Sequence, residues 1–305
     1  MLPFDFHSPV EPLDFPLFKE KGIKVAIKRD DMIHPFISGN KWRKLKYVLQ
    51  TAASLGKEHL VSFGGAWSNH LLAMACAGAK FGFRTTAFVR GEAISNPNLS
   101  LCSLFGMQLR FVSRAAYKDK TLLFDQHYRR DEQAYFVDEG GCSLEGARGC
   151  MEIFDELTQS YDHIFCACGT GTTLAGLSMA KAAHGGPTQL HGVPVLAGGT
   201  FIKDTVASLS GTACADAIIL HTDYHFGGYA KTDPALNTFV KTFAAQTGIL
   251  IEPVYTGKLC YAVFDLAARD YFQPGQSILL IHTGGLTGLL GMHEQFGLPQ
   301  NANVL

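Results

Sequence analysis

His163-Ile164-Phe165-Cys166-Ala167-Cys168-Gly169-Thr170-Gly171-Thr172-Thr173-Leu174-Ala175-Gly176 decides the fold class. Its first half is an apolar run without polar alternation, the pattern of a strand covered on both faces. Two closely spaced glycines then turn the chain, and a helical pattern follows from about Thr173 to Ala183. Strand, glycine turn and helix make one step of a parallel α/β sheet. The turn also carries chemistry. Gly169 and Gly171 expose backbone N–H groups at a helix start, and Thr170, Thr172 and Thr173 add hydroxyls, which together form a cradle for a phosphate. The Walker lysine is missing. The next glycine, Gly176, lies five residues after Gly171 rather than three, and no strand with a terminal acid follows at the dinucleotide-binding distance. A structural turn alone seldom needs so many small hydroxyl residues.

The same step repeats outward from this segment. Strands are expected at Lys24 to Lys28, His59 to Phe63, Thr85 to Val89, Gln108 to Val112, Ala134 to Val137, Gln189 to Val195 and Ser277 to Ile281. Helices are expected from Lys41 toward Leu55, and over Ser68 to Phe81, Asn98 to Phe105, Leu144 to Leu157 and Asp233 to Gln246. Alternation of this kind gives right-handed βαβ units and a mostly parallel sheet. The polar segment Arg114 to Glu132 has few core residues and is the expected lobe boundary.

Three more loops stand at strand ends, the edge where parallel sheets bind ligands. Gly64-Gly65-Ala66-Trp67-Ser68-Asn69-His70 opens a helix whose first N–H groups can hold a carboxylate, with Ser68 and Asn69 adding a hydroxyl and an amide. Taken alone, Ser68 is equally an ordinary N-cap. In His282-Thr283-Gly284-Gly285 the glycines let the backbone approach a flat ring, and Thr283 can bond a heterocycle nitrogen. Tyr224-His225-Phe226-Gly227-Gly228-Tyr229 and Glu252-Pro253-Val254-Tyr255-Thr256-Gly257-Lys258 each read as a loop with a phenol beside glycine. A phenol near a cationic ring can serve as acid or base.

Lys41, in Ser38-Gly39-Asn40-Lys41-Trp42-Arg43-Lys44-Leu45, breaks a local rule. It falls in the first turn of a helix, the positive end of the dipole, with Ser38 or Asn40 as the expected N-cap. A positive field and partial burial lower an amine's pKa and make it a nucleophile for a carbonyl, such as the aldehyde of pyridoxal phosphate. As an isolated segment it also fits an ordinary surface lysine beside Arg43, Lys44 and Lys46.

Composition removes several function classes. The 305 residues are 47% apolar with net charge −1. That suits one large α/β unit or two lobes and argues against a nucleic-acid surface. The one basic cluster, Lys41 to Lys46, is offset by Asp30 and Asp31. No stretch reaches the roughly 20 apolar residues of a membrane span. The N-terminus shows no secretory pattern. The eight cysteines include no Cys-x-x-Cys pair, and the chain reads as cytoplasmic with buried reduced thiols at Cys166 and Cys168. The twelve histidines form no recognisable ligand set, so no metal is expected.

Together the motifs resemble the fold type II pyridoxal phosphate (PLP) enzymes, related to tryptophan synthase β. More narrowly they resemble the 1-aminocyclopropane-1-carboxylate deaminase and D-cysteine desulfhydrase family. The likeness runs from about Ile27 to Leu290 and rests on the Lys41, Ser68-Asn69-His70, Gly169–Thr173, Glu252–Lys258 and His282–Gly285 segments in the family's order. It implies two α/β lobes with mostly parallel sheets flanked by helices: a small lobe over 36–117, and a large PLP-binding lobe formed by 1–35 and 118–305. It implies that Lys41 carries PLP as a Schiff base and that Gly169, Thr170, Gly171, Thr172 and Thr173 hold the phosphate. Asn69 matches the residue bonding the ring oxygen, and Ser68 the serine that contacts the substrate carboxylate and acts in ring opening. Tyr229 and Tyr255 match two active-site tyrosines. Thr283 or Thr256 is implied beside the pyridine nitrogen. With Ser68 and Asn69, His70 completes the expected substrate contacts, and a homodimer is implied.

Two positions depart from the deaminases: Thr256 stands where they usually carry Glu, and His70 where they usually carry Gln. Both resemble the desulfhydrase side. Without a carboxylate at 256 the ring nitrogen is a weaker electron sink, which stepwise β-elimination tolerates better than ring opening. The resemblance thus implies α,β-elimination from a small, D-configured amino acid, giving a 2-oxo acid and ammonia. Ring-opening deamination is the close alternative. A non-catalytic PLP or amino-acid-binding protein and an NAD-dependent oxidoreductase are the alternatives of other classes.

Overall fold

The computed structural model describes residues 4–296. In chain order the strands are β1 (Val10–Pro12), β2 (Lys24–Lys28), β3 (His59–Gly64), β4 (Arg84–Arg90), β5 (Gln108–Val112), β6 (Ala134–Val137), β7 (His163–Cys168), β8 (Gln189–Pro194), β9 (Ile218–Leu220) and β10 (Ser277–Ile281). The helices are α1 (Pro16–Glu20), α2 (Asn40–Ser54), α3 (Asn69–Phe81), α4 (Pro97–Leu104), α5 (Lys120–Tyr128), α6 (Leu144–Asp155), α7 (Thr172–His184), α8 (Phe201–Ser210), α9 (Thr212–Asp216), α10 (Pro234–Thr247), α11 (Thr256–Ala268) and α12 (His293–Phe296).

The strands form two sheets, a six-stranded one in the order β1-β2-β10-β7-β8-β9 and a four-stranded one in the order β5-β4-β3-β6. Only β1 runs antiparallel to its neighbour. Every residue of β3 and β7 is buried, which accounts for their largely apolar sequences without polar alternation. The two-lobed architecture with helix-flanked parallel sheets is the expected one.

The lobe boundary is corrected. β6 pairs with β3 in the smaller sheet, so that sheet continues to Val137, past the expected limit at residue 117. The segment read as a boundary contains α5, the crossover into β6. Its Tyr117, Leu123 and Tyr128 are buried against Phe63 and Phe88 of the β3–β4 pair. Three large side chains suffice to bind an otherwise polar segment to the sheet. The expected elements otherwise stand at or near their places. β1, β9, α1, α5, α8, α9, α11 and α12 are additions.

Helix contact positions the site. α2 packs on α6, and α6 on α7. Gly149 and Gly176 allow it: a Cβ on Gly149 would lie 1.8 Å from the Arg43 carbonyl oxygen, and one on Gly176 2.3 Å from that of Ala147. Close packing of the three helices sets the starts of α2 and α7 side by side. No helix among the described residues is long and apolar enough to cross a membrane.

Candidate active site

Lys41 lies in the first turn of α2, but neither expected cap precedes it. The N-cap is Gly39, with φ 63° and ψ −142°. The reason is a close approach: a Cβ on Gly39 would lie 1.9 Å from the carbonyl oxygen of Thr283. That carbonyl accepts the Asn40 N–H at 3.3 Å. The Thr283 turn is fixed in its own right. His282 Nε2 donates to the Leu250 carbonyl at 2.7 Å, which leaves Nδ1 to accept from the Gly284 N–H at 3.2 Å. The end of β10 and the start of α2 are thus locked together.

Burial holds the Lys41 amine well below the ordinary lysine pKa, and the nearby Lys44 ammonium pushes it the same way. Lys41 lines a narrow cleft with Pro35, Phe36, Ser38, Asn69 and Thr287. Asn69 heads α3, and its Oδ1 accepts the Thr287 hydroxyl at 3.0 Å. Asn69 Nδ2 lies where a Cβ on Gly285 would approach to 2.8 Å, so glycine is needed there for the amide to face the turn.

The glycine-threonine turn reaches the same place. The buried Asn40 amide donates to Thr173 Oγ1 at 3.0 Å, tying the residue before Lys41 to the first turn of α7. Thr170 and Thr172 hydroxyls lie 2.9 Å apart. Gly171 caps α7 at φ 87°. Among the described residues no backbone carbonyl accepts from the N–H groups of Gly169, Thr170 or Gly171. With the open N–H groups of the first helical turn they form a set of donors aimed out of α7. Lys44 stands close by: buried, it donates among the described residues only to the Gly140 carbonyl, at 3.4 Å.

The phenols are on the other side of the turn. A Cβ on Gly169 would meet the Tyr255 ring at 3.1 Å. Tyr255 and Tyr229 rings stand edge to face, 6.0 Å apart. Burial drives the Tyr255 phenol well above its ordinary pKa, and Tyr229 and Glu252 add to the rise. It is therefore a proton donor rather than a base near neutrality. Tyr255 is not in a loop, as its segment reads, but at the N-cap of α11.

Thr256 is placed differently from the expectation. Its hydroxyl accepts from the Glu252 N–H at 3.0 Å and donates to Glu252 Oε1 at 3.2 Å. The Glu252 carboxylate also accepts the N–H groups of Val254, Tyr255 and Thr256 at 2.7–3.1 Å. Thr256 is thus committed to the cap of α11, whereas Thr283 stands against the Gly39 turn. Burial pushes Glu252 up to about 7 against the pull of those N–H groups.

Ser68 is the N-cap of α3 and accepts the Leu71 N–H at 3.3 Å, as its ordinary reading required; its own proton remains free to donate. His70 is buried. Ser62 Oγ donates to the Val137 carbonyl at 2.7 Å and so accepts from His70 Nε2 at 2.9 Å. Burial, then Lys41 and Lys44, hold His70 well below its usual pKa, so it is neutral.

Sequence reasoning missed the groups that hold these residues. Arg43, fully buried, donates to both Asp30 oxygens at 2.6 Å and to both Glu156 oxygens at 2.8 Å. Lys28 donates to Glu156 at 2.7 Å. The Asp138-Glu139-Gly140-Gly141 turn after β6 brings Gly140 beside Thr170 and Gly141 beside Lys44 and His70. Its paired glycines after a strand repeat the Gly64-Gly65 signal and were the available clue.

The residues present fit PLP. The cleft offers an amine whose pKa its surroundings depress, open N–H groups and hydroxyls for a phosphate, and a buried ammonium with one long hydrogen bond. Comparison with known proteins agrees. Residues 5–284 match the family described as pyridoxal-phosphate dependent enzyme. A D-cysteine desulfhydrase of Salmonella choleraesuis is 30% identical over 89% of this chain and 90% of its own length. The mitochondrial bifunctional D-cysteine desulfhydrase/1-aminocyclopropane-1-carboxylate deaminase of Arabidopsis thaliana is 28% identical over 90% of this chain and 75% of its own. The crystal structure of an ACC deaminase homologue superposes with a TM-score of 0.84 at 29% identity, covering 96% of this chain and 93% of that one. The chain belongs to the pyridoxal-phosphate dependent enzyme family.

Proposed function

We propose that this enzyme is a lyase that removes the α-proton and expels a β-substituent from a small amino acid, in the manner of D-cysteine desulfhydrase. Bound PLP supplies the electron sink for the negative charge left at the α-carbon. Lys41 Nζ would anchor the cofactor and take up the α-proton; burial holds its pKa well below the ordinary lysine value, which favours the unprotonated amine that task needs. The α7 start, with Gly169, Thr170, Gly171, Thr172 and Thr173, holds the phosphate, and Lys44 adds a full positive charge beside it. Asn69 meets the ring oxygen. Ser68 and the first N–H groups of α3 hold the substrate carboxylate, while the neutral His70 supports that turn from behind. Protonated Tyr255, with Tyr229, donates to the departing group. Thr283 is the hydroxyl left for the ring nitrogen.

The observation that favours elimination is the state of the Glu252–Thr256 pair. The one carboxylate of that stretch has both oxygens taken up by the start of α11, and Thr256 brings none of its own. A ring nitrogen without a carboxylate partner is the weaker sink, which suits a reaction with an adjacent leaving group. Ring-opening deamination of 1-aminocyclopropane-1-carboxylate is the second reading, supported by the relative that carries both activities in its name.

Turnover of D-cysteine, D-serine, β-chloro-D-alanine and the cyclopropane acid is the test, with 2-oxo acid and ammonia measured. Efficient deamination of the cyclopropane acid, with none of the β-substituted D-amino acids turned over, would reverse the order of the two readings. A homodimer in the cytoplasm belongs to the same proposal by family resemblance, and sedimentation of the loaded enzyme and cell fractionation examine it.

A further inference from the structure

Lys258 takes no part in the chemistry above, yet it is a fully buried lysine on α11, the helix that Tyr255 caps. Its three N–H bonds all go to main-chain carbonyls: Val195 at 3.3 Å, His225 at 2.8 Å and Gly228 at 2.8 Å. Two of these belong to the loop that carries Tyr229. That loop is not held by its own preferences. Phe226 and Ala230, neither a glycine, take positive φ of 51° and 55°, and Gly227 and Gly228 between them stand at 88° and 123°. Left-handed backbone at residues with a Cβ persists only where the surroundings impose it.

The surroundings here are one stripe of α11. Tyr255, Lys258, Tyr261 and Asp265 recur at helical spacing and share a face. Asp265 Oδ2 accepts the Tyr224 hydroxyl at 2.7 Å. Tyr261 meets the Phe226 ring edge to face at 5.1 Å. Lys258 sits between them and reaches deepest into the loop. The His225 and Gly228 carbonyls already accept the Gly228 and Lys231 N–H groups, so the ammonium adds a second donor to each and closes the turn around Tyr229. Tyr229 itself is 47% exposed, with its ring edge to face with that of Tyr255.

We infer that Lys258 is a positioning residue of the active site: by clasping the carbonyls of His225 and Gly228 it holds the Tyr229 loop on α11, so that Tyr229 stands against Tyr255. The inference rests on the proposed role of Tyr229 in the elimination.

Lys258→Met keeps the length of the side chain and removes the donors; Lys258→Gln, which retains an NH2 group, takes its place if the methionine variant does not fold. Two measurements are made on each purified, cofactor-loaded protein. The first is amide hydrogen exchange by mass spectrometry over residues 222–231, which needs no substrate. It is expected to quicken tenfold or more there, with the β7–α7 peptides unchanged. The second is turnover of the best substrate, in a cycle with Tyr229→Phe. Lys258→Met is expected to lower kcat tenfold or more with KM changed less than threefold, and the double variant to lose no more than Tyr229→Phe alone. Unchanged exchange in the loop, unchanged kcat, or losses that multiply in the double variant would each overturn the inference. If Tyr229→Phe by itself leaves turnover intact, the tyrosine's role has failed and the inference falls with it. If no substrate of the panel is turned over, the substrate reading has failed, and the exchange measurement alone decides whether Lys258 holds the loop.

Discussion

Gly39→Ala tests the junction that places Lys41. Two terms add. The first is conformational: φ 63° with ψ −142° lies in a region open almost only to glycine, and forcing alanine into it costs about 1–3 kcal/mol. The second is steric. The new Cβ would lie 1.9 Å from the Thr283 oxygen, so that carbonyl must retreat by more than 1 Å to reach van der Waals contact. Its 3.3 Å bond from the Asn40 N–H then breaks, at about 1 kcal/mol. The sum is about 2–4 kcal/mol, a large part of the roughly 5–15 kcal/mol that holds a typical domain. Gly82→Ala is the matched control. Gly82 also has a positive φ, 81°, but nothing stands within 4 Å of its Cβ position. It should lose only about 1 kcal/mol. Urea unfolding of both apo-proteins gives the difference, and titration with PLP gives its functional consequence. Gly39→Ala should bind the cofactor at least tenfold more weakly, because the start of α2 carries both Lys41 and the Asn40 bond to Thr173. Equal stability losses in the two variants, with cofactor affinity unchanged in both, would refute the account of the junction.

Lys41→Ala should abolish turnover and the borohydride-reducible cofactor adduct, while the apo-protein is unchanged or up to about 1 kcal/mol more stable, since burial and the helix start both disfavour a charged amine there; a persisting adduct would show that another lysine is the anchor. Thr173→Val removes the acceptor of the buried Asn40 amide and should cost about 1–3 kcal/mol in urea unfolding together with a measurable loss of PLP affinity; a stability equal to wild type would mean that Asn40 finds another partner. His191, bonded to His163 and His221 at 3.0 Å and near Lys181 and Tyr271, is driven down to about 2 by burial and then by its two histidine neighbours. Its folded pKa lies below its unfolded one, so its contribution is complete above about pH 6.5 and lost as pH falls from there toward 2, at up to about 1.4 kcal/mol per unit. His191→Asn should flatten the acid limb of stability between pH 6 and 4 by about that slope, as read from urea midpoints, and an identical limb would reject the assignment.

Why some of this was legible in the chain and some was not follows from particular residues. β3, β7 and β10 announce themselves because both faces are covered and apolar residues run together within each, as in Ile164–Cys168 and Ile278–Ile281. The Gly169–Thr173 and Ser68–His70 turns stand out because glycine and small hydroxyl residues cluster where a strand ends. α11 did not stand out. Pro253 and Gly257 punctuate its start as if it were a loop, and the signal that overrides them is a glutamate side chain folded back onto three N–H groups. α5 buries few of its residues, among them Leu123 and Tyr128, which is too thin a stripe for periodicity. Gly39 as N-cap is set by the Thr283 carbonyl, more than two hundred residues away, and no local pattern encodes that. Asn40 with Thr173, and Arg43 with Glu156, are likewise pairings made only by the packing of α2, α6 and α7.

The basic run from Lys41 to Lys46 ties these strands of the argument together. As a string it is a charge cluster offset by two nearby aspartates. In space the charges separate by task. Arg43 is neutralised by Asp30 and Glu156, and Lys46 by Glu152 at 2.6 Å. Asp31 is spent on Arg29 at 2.8 Å rather than on the run. Among the described residues neither Lys41 nor Lys44 has a carboxylate within ion-pair distance, although burial makes an unpaired charge costly. Buried pairs such as Arg43–Asp30 add little net stability but fix where α2 begins. Of the two amines left over, Lys41 lines the cleft and Lys44 lies beside the Gly140 turn that meets Thr170. A phosphate dianion placed at the start of α7 would satisfy Lys44 and the open N–H groups there together, while burial lowers the Lys41 pKa and so lessens the cost of its unpaired charge. Burial and the Lys44 charge lower the Lys41 pKa while the open N–H groups of α7 lie near Lys44, so the packing of α2 on α6 and α7 would serve both a phosphate cradle and a nucleophilic amine.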